Sequence, residues 1–300
     1  MPEKPDTARP ASGRAESVIT HPDRVIFPDA GLTKGDLADY YRAVAPIMLP
    51  HFAGRPTSLV RCPQGSGEAC FFQKHAGGGF GPPVRQVPIR EKDGGTEPYL
   101  YVEDVAGVLA CVQMGTIEFH AWAAHAAQVE RPDRMIFDLD PDAGLGFAAV
   151  KEAALLIRRR LADLGLASFA MLSGGKGVHV VVPLTPGHGW DAHKDFAHRF
   201  AQALSEDEPE RYVATMSKAR RKGRIFIDWL RNQRGATSVV PFSARARPGA
   251  PVAAPVAWAE LDDIASPARF SIRDGALLIE RPASAGLRGW GFADQTLPTP

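Results

Sequence analysis

RMIFDLDPDAGLGFAAVKEAALLIRRRLADLGLASFAMLSGGKGVHVVVPL, residues 134–184, carries the alternation that decides the fold. Residues 134–140 (RMIFDLD) are an apolar run ending in acids, which suits a buried strand. Residues 147–164 (FAAVKEAALLIRRRLADL) place their apolar side chains at helical spacing, and Gly165 ends that helix. A strand follows at 167–172 (ASFAML), then a glycine turn, then a second strand at 177–184 (GVHVVVPL). Further on, 191–204 (DAHKDFAHRFAQAL) reads as a helix and 224–230 (RIFIDWL) as a short strand. This alternation predicts an α/β (α+β) fold, a mixed central sheet flanked by helices.

Upstream of this region, 32–49 (LTKGDLADYYRAVAPIML) predicts a helix with Thr33 as its N-cap. Residues 58–120 contain short apolar runs broken by Gly and Pro (SLVRC, CFFQ, YLYVEDV, GTIEFH) and read as mostly β. Residues 244–258 (ARARPGAPVAAPVAW) read as a Pro- and Ala-rich loop. The expected organisation is a flexible tail at 1–17, a folded body at 18–290 and a short tail at 291–300. Within the body, a smaller β-rich part (18–115) precedes the core (116–290). At 45% hydrophobic and 23% charged the chain cannot be disordered throughout. No apolar stretch approaches the roughly 18–20 residues that span a bilayer, and the first seventeen residues lack the apolar centre of a secretory signal. A cytoplasmic protein without a membrane partner is expected. Cys62, Cys70 and Cys111 lack CxxC spacing, so reduced thiols are expected rather than a disulfide framework or a zinc site.

Charge is unevenly spread. Residues 211–250 hold ten Lys and Arg against the single acid Asp228, a local charge of +9 in a chain whose net charge is +1. Such a segment is either a footprint for phosphates or a solvated loop.

Within the motifs, Asp138 and Asp140 are two apart on a strand and so share one face. Hard carboxylate oxygens so placed suit Mg²⁺ or Mn²⁺, although DLDPD also reads as an acidic strand-to-turn junction. Asp228, flanked by Ile225, Phe226, Ile227, Trp229 and Leu230, is a buried acid that needs a partner. It either shares metal with Asp138 and Asp140, where two ions could activate a hydroxyl and stabilise pyrophosphate, or pairs with Arg224 or Arg231. SGGKGVH (173–179) offers glycines that let backbone amides approach a phosphate, with Lys176 as a point charge. It is not the nucleotide-binding P-loop, and an ordinary glycine hairpin has the same pattern. His179 and His120 read equally as core histidines or site residues.

FDLDPD (137–142), LSGGKGVHV (172–180) and IFIDWLRNQRGATSVVPFSARA (225–246) together resemble the polymerase domain of bacterial ATP-dependent DNA ligase D, a branch of the archaeo-eukaryotic primase superfamily. The likeness begins at HPDRVIFPDAGLTKGDLADYY (21–41) and continues through LPHFAGRPTSLVRCPQG (49–65), FFQKH (71–75) and VQMGTIEFHAW (112–122). It implies an RRM-like primase–polymerase core that extends a primer 3′-hydroxyl at gaps and double-strand-break ends in non-homologous end joining. It further implies a preference for ribonucleotides, use of two Mn²⁺ or Mg²⁺ ions, and work beside Ku and a DNA ligase, in the same chain or separate, in the nucleoid-associated cytoplasm.

Carried onto this sequence, Asp138, Asp140 and Asp228 match the metal-binding carboxylates, and His120 a histidine near the catalytic centre. Ser173, Lys176, Gly177 and His179 match the triphosphate motif, and Arg231 and Arg245 match arginines contacting nucleotide or template. Phe71 and Phe72 fall where an aromatic stacks on the base, and His21, Arg24 and Lys34 match a pocket for a 5′-phosphate. The family often carries Asn and Lys where His21 and Arg24 stand, an exchange that keeps donors and charge. Two readings from other classes are a non-catalytic DNA-end adaptor and a metal-dependent phosphodiesterase; SGGKGVH favours the polymerase.

Overall fold

The structure, a computed structural model, describes residues 19–298. The expected N-terminal tail lies outside them. A six-stranded sheet runs in the spatial order Tyr212–Val213, Ile225–Asp228, Arg134–Pro141, Val178–Pro183, Phe169–Leu172, Ala254–Val256. Its first pair is parallel and the others antiparallel, so the sheet is mixed as expected.

Alternation along the strands divides the sheet into two faces. Met135, Phe137, Leu139, Val178, Val180 and Val182 point to one face and share a core with the helices Phe147–Asp163 and Trp190–Asp207. Phe137 packs on Phe200 with ring centroids 4.9 Å apart. The first of these helices ends as the sequence indicates: Gly165 adopts φ +75°, and the Leu166 N–H donates to Leu161 O at 2.9 Å. The opposite face begins with Ile136 and Val181, packed on Trp290 and Leu287. Farther along the same strands it carries Asp138, Asp140 and His179.

A four-stranded sheet, in the order Ser238–Val239, Thr116–Ala121, Thr57–Arg61, Phe71–Gln73, stands beside the first. Its strands come from both sides of residue 115, and the largest of three hydrophobic clusters draws residues from Ile26 to Leu297. Helix Lys34–Phe52 starts at a capping box, with the Asp36 N–H donating to Thr33 Oγ1 at 3.1 Å and the Thr33 N–H to Asp36 Oδ2 at 2.7 Å. From it Tyr41 donates to Ile117 O at 2.6 Å in the four-stranded sheet and Tyr40 to Phe242 O at 2.7 Å in the turn after Ser238–Val239. Residues 291–298 form no regular element but lie against the body, Gln295 donating to Pro183 O at 2.7 Å.

Three expectations are corrected. The region read as mostly β contains the helix Val105–Gln113, started by the Asp104 side chain accepting from the Gly107 N–H at 3.0 Å. Six of its nine residues are buried and none is exposed, so its sequence shows no polar face and no helical period. The Pro- and Ala-rich loop contains the strand Ala254–Val256; Pro255 is tolerated there because the strand is an edge of the sheet. Cys62 and Cys70 form a disulfide across a Gly-rich turn, leaving only Cys111 as a free, buried thiol.

The N-terminal end of the aspartate-bearing strand is pinned by charge. Arg55, only 2% exposed, donates to both Asp133 carboxylate oxygens, one at 2.8 Å and the other at 2.5 Å. Arg134 and His125 also face Asp133. Burial pushes the Asp133 carboxyl up, but Arg134 and Arg55 outweigh it and bring it from 3.8 down to about 2. A depressed folded-state value means that the stabilisation is complete above pH 3.8 and disappears as pH falls through about 2. Wild type should therefore lose roughly 2 kcal/mol more than Asp133→Asn across that window, read from urea midpoints at each pH.

Candidate active site

Register brings the acids together. Asp138 pairs across the ladder with His179 on one side and with Asp228 on the other, so three neighbouring strands present polar side chains at one level. Asp140 follows two residues along on the same face. His179 Nε2 lies 3.4 Å from Asp138 Oδ1. Arg231 Nε lies 3.2 Å from Asp138 Oδ2 and 3.2 Å from Asp228 Oδ2, so a single guanidinium stands between the two acids. Asp228 faces Asp138 and forms the ion pair with Arg231. Its Oδ1 also accepts from the Leu230 N–H at 3.0 Å.

The electrostatics follow from this crowding. Burial alone would raise Asp138, yet His179 and Arg231 hold it well below the usual carboxylate range. Asp140 and Asp228 are raised, first by burial; Asp138 adds its repulsion to both, and Arg231 only partly offsets it. Among the described residues no three acidic or imidazole side chains form a ready-made cage for an ion. The donor set nevertheless fits a hard divalent cation, since two of three clustered carboxylates are short of compensating charge.

Facing the acids is the turn of residues 173–177. Ser173 Oγ accepts from the Gly175 and Gly177 N–H groups, both at 3.2 Å, so its hydroxyl shapes the turn. Gly177 comes so close to the aspartate strand that a Cβ there would sit 2.1 Å from Leu139 O. Gly174, at φ +65°, lies against Val252. Arg245 Nη1 donates to Ser173 O, and Lys176 stands exposed at the tip.

The other wall is the Thr116–Ala121 strand. Here Glu118, which the motif reading passed over, is buried and accepts from His120 Nε2 at 2.8 Å, Arg245 Nε at 3.0 Å and the Ala246 N–H at 2.7 Å. A signal for it was present, because Glu118 lies two residues before His120 and so shares its face of the strand. The Phe72 ring, 59% exposed, stands 5.1 Å from His120.

A cavity of about 330 Å³ lies between these walls, lined by Asp138, Asp140, Ser173, Lys176, Gly177, His179, Arg231, His120, Arg245 and Phe72. Arg247, Thr237 and Ser238 line it as well without having been singled out in the sequence. Asp228 sits behind Arg231 rather than on the cavity wall. Phe71 points the other way, its ring 5.3 Å from the Arg61 guanidinium carbon.

Arg24 and Lys34 line a second cavity of about 220 Å³. Lys34 Nζ donates to Thr20 O at 3.1 Å and to Gln113 Oε1 at 2.8 Å, and Arg24 donates to Gln64 Oε1 at 2.8 Å. Burial, then the Arg24 charge, lower the Lys34 pKa. His21, exposed at φ +52°, does not line this cavity.

Residues 33–283 match the family model of the LigD primase–polymerase domain. The chain is 43% identical over 255 residues to the multifunctional non-homologous end joining protein LigD of Pseudomonas aeruginosa, covering 85% of this chain and 30% of that protein. It is 36% identical over 253 residues to the Mycobacterium tuberculosis LigD, covering 82% of this chain and 33% of that protein. It therefore spans about a third of the length of these curated relatives. Among solved structures, the polymerase domain from M. tuberculosis ligase D in complex with DNA superposes with a TM-score of 0.81 at 33% identity, covering 90% of this chain and 95% of that one.

Gly177→Ala tests the contact between turn and strand. The added methyl meets main chain that cannot rotate away, so stability should fall by roughly 2–4 kcal/mol in denaturant titrations. Gly144→Ala, with nothing within 4 Å of its Cβ position, should stay within about 0.5 kcal/mol of wild type.

Proposed function

Because the chain belongs to the LigD primase–polymerase domain family, we propose that it is a template-dependent nucleotidyltransferase that adds ribo- or deoxynucleotides to a primer 3′-hydroxyl at DNA gaps and double-strand-break ends in non-homologous end joining. The observation that carries this reading is a single cavity that brings acids and cations together: Asp138 and Asp140 line it with Lys176, Arg231, Arg245 and Arg247. Phosphoryl transfer needs both, because charge grows on the phosphate oxygens while the attacking hydroxyl must lose a proton.

In this reading the triphosphate lies along the glycine turn. Lys176, Arg245 and Arg247 neutralise its outer phosphates, and His179 and Arg231 border its path toward the carboxylates. Phe72 offers a face on which the base stacks. The primer hydroxyl attacks the α-phosphorus in line and pyrophosphate leaves, so no protein nucleophile is required. Asp138, Asp140 and Asp228 would hold divalent cations, Mn²⁺ or Mg²⁺, whose chemistry is to acidify the hydroxyl and to bind the phosphates. Arg231 would then turn from the acids toward the nucleotide or template.

DNA is the first partner, held through its phosphates, with base choice left to template pairing. Ku and a ligase are the further partners we assign, following the end-joining names of the relatives. The second cavity would take a 5′-phosphate at the far edge of a gap, with Arg24 and Lys34 as its cations.

Asp138→Ala should abolish nucleotide incorporation on a template-primer with Mn²⁺ while leaving DNA affinity within about twofold, measured by fluorescence anisotropy. Substantial synthesis by this variant would remove the site assignment. Lys34→Glu should erase any preference for a 5′-phosphorylated gap, about 10-fold or more in Kd, while simple primer extension stays near wild type. Equal loss on both substrates would contradict a dedicated phosphate pocket.

A further inference from the structure

The polymerase reading leaves one buried charge in the neighbourhood of the cavity without a part in the reaction. Glu118 does not line the cavity, yet it gathers two groups that do. His120 belongs to the four-stranded sheet, whereas Arg245 reaches across to Ser173 O in the glycine turn of the six-stranded sheet. Both meet one carboxylate, with His120 Nε2 at 2.8 Å and Arg245 Nε at 3.0 Å, and the Ala246 N–H fixes the loop that carries Arg245 at 2.7 Å. Resting on the nucleotide-site reading, we infer that Glu118 is the positioning residue that sets where His120 and Arg245 meet the nucleotide and which nitrogen of His120 is offered to it.

The chemistry of the contact sets the polarity of His120. Burial works against the Glu118 charge, but His120, Arg245 and the Ala246 N–H prevail and bring its carboxyl down to about 2. An ionised carboxylate has no proton to donate, so the proton of the contact sits on His120 Nε2. Burial lowers the His120 pKa against the pull of Glu118, and Arg245 and Arg231 lower it further. The ring is therefore neutral, and Nδ1 keeps its lone pair. His120 presents an acceptor beside the cations of the cavity, not a further positive charge. A glutamine at 118 has one acceptor oxygen where the carboxylate serves three donors with two, so at least one of His120, Arg245 and the Ala246 N–H loses its partner. Arg245 would lose its charged partner in the same change.

The test combines ¹⁵N NMR of histidine-labelled protein, with the His120 resonances assigned through His120→Gln, and equilibrium binding of a nucleoside triphosphate in the presence of template-primer. Wild type should show His120 as the Nε2–H tautomer, and an Nδ1–H tautomer there would overturn the inference. In Glu118→Gln, nucleotide Kd and KM should rise about 10-fold or more, while kcat falls far less and DNA affinity and melting temperature stay near wild type. Glu118→Asp, which keeps the charge, should retain the Nε2–H tautomer and recover part of the nucleotide affinity. A folded Glu118→Gln protein with unchanged nucleotide affinity would overturn the inference. So would loss of nucleotide and DNA affinity in step with melting temperature, the mark of a merely structural role. If wild type itself neither binds nor incorporates nucleotide, the polymerase reading fails, and the tautomer measurement still judges the Glu118–His120 contact separately.

Discussion

Asp138 sits in register between His179 and Asp228, and the geometry of the cleft depends on that alignment. Strands have a period of two, so a slip of one residue in the Arg134–Pro141 strand would turn Asp138 and Asp140 into the helix-covered core and bring Phe137 and Leu139 out in their place. The hydrophobic alternation thus enforces the placement of the acids: Met135, Phe137 and Leu139 are each fully buried against the helices, which fixes where their neighbours point. Grouping the acids has an electrostatic consequence. Charges taken from water must be paired, and Arg231, shared between Asp138 and Asp228, together with His179, provides the pairing.

A second constraint acts between the sheets. Strand Thr116–Ala121 and the glycine turn come from different sheets and approach across the cavity, where apolar contacts alone would leave their relative position loosely set. Ionic and hydrogen-bonded contacts are more directional. The Ser173–Arg245–Glu118–His120 chain joins the turn to the opposite wall with one buried carboxylate at its centre. Tyr41, fully buried, reinforces the junction by donating to Ile117 O and accepting from the Ala244 N–H.

How much of this could be read from the sequence depended on whether a residue's neighbours in space were also its neighbours in the chain. The strands and helices read between residues 134 and 230 lie within a few residues of those observed, because their alternation is local, whereas Tyr212–Val213, Ser238–Val239 and the helix Gly275–Glu280 were not foreseen. Thr33 was recognisable as a cap for the same reason. The helix Val105–Gln113 was hidden by burial on most of its surface, and the Ala254–Val256 strand by a composition that usually means loop. Asp138 and Asp140 could be paired from their spacing, but only the sheet shows that Asp228 lies opposite Asp138 and behind Arg231. Glu118 shares the His120 face, yet its importance comes from Arg245, 127 residues away, which no local pattern predicts. The Cys62–Cys70 pairing likewise follows from a turn that brings the two together, not from a recognisable motif.

The cationic segment shows why summed charge is a poor guide to a binding surface. Of its ten Lys and Arg, several are engaged by acids: Arg231 by Asp138 and Asp228, Arg245 by Glu118, Arg234 by Glu130, and Arg211 by Glu152 and Glu208. Arg221 approaches Asp140 at 3.8 Å while stacking on Phe226. These cations build the cleft and hold its loops, and they offer a phosphate backbone little uncompensated charge. Among the described residues, Lys218, Arg220, Lys222 and Arg247 have no ion-pair partner. Arg247 lines the cavity that holds Asp138 and Asp140, and the other three lie on or beside the short turn Lys218–Arg221, next to the strand that ends in Asp228. The segment's free charge is therefore divided between the cavity and a turn whose Arg221 lies 3.8 Å from Asp140. A polyanion drawn to that turn arrives beside the carboxylates, of which Asp138 is held ionised by His179 and Arg231 while Asp140 and Asp228 are only partly compensated.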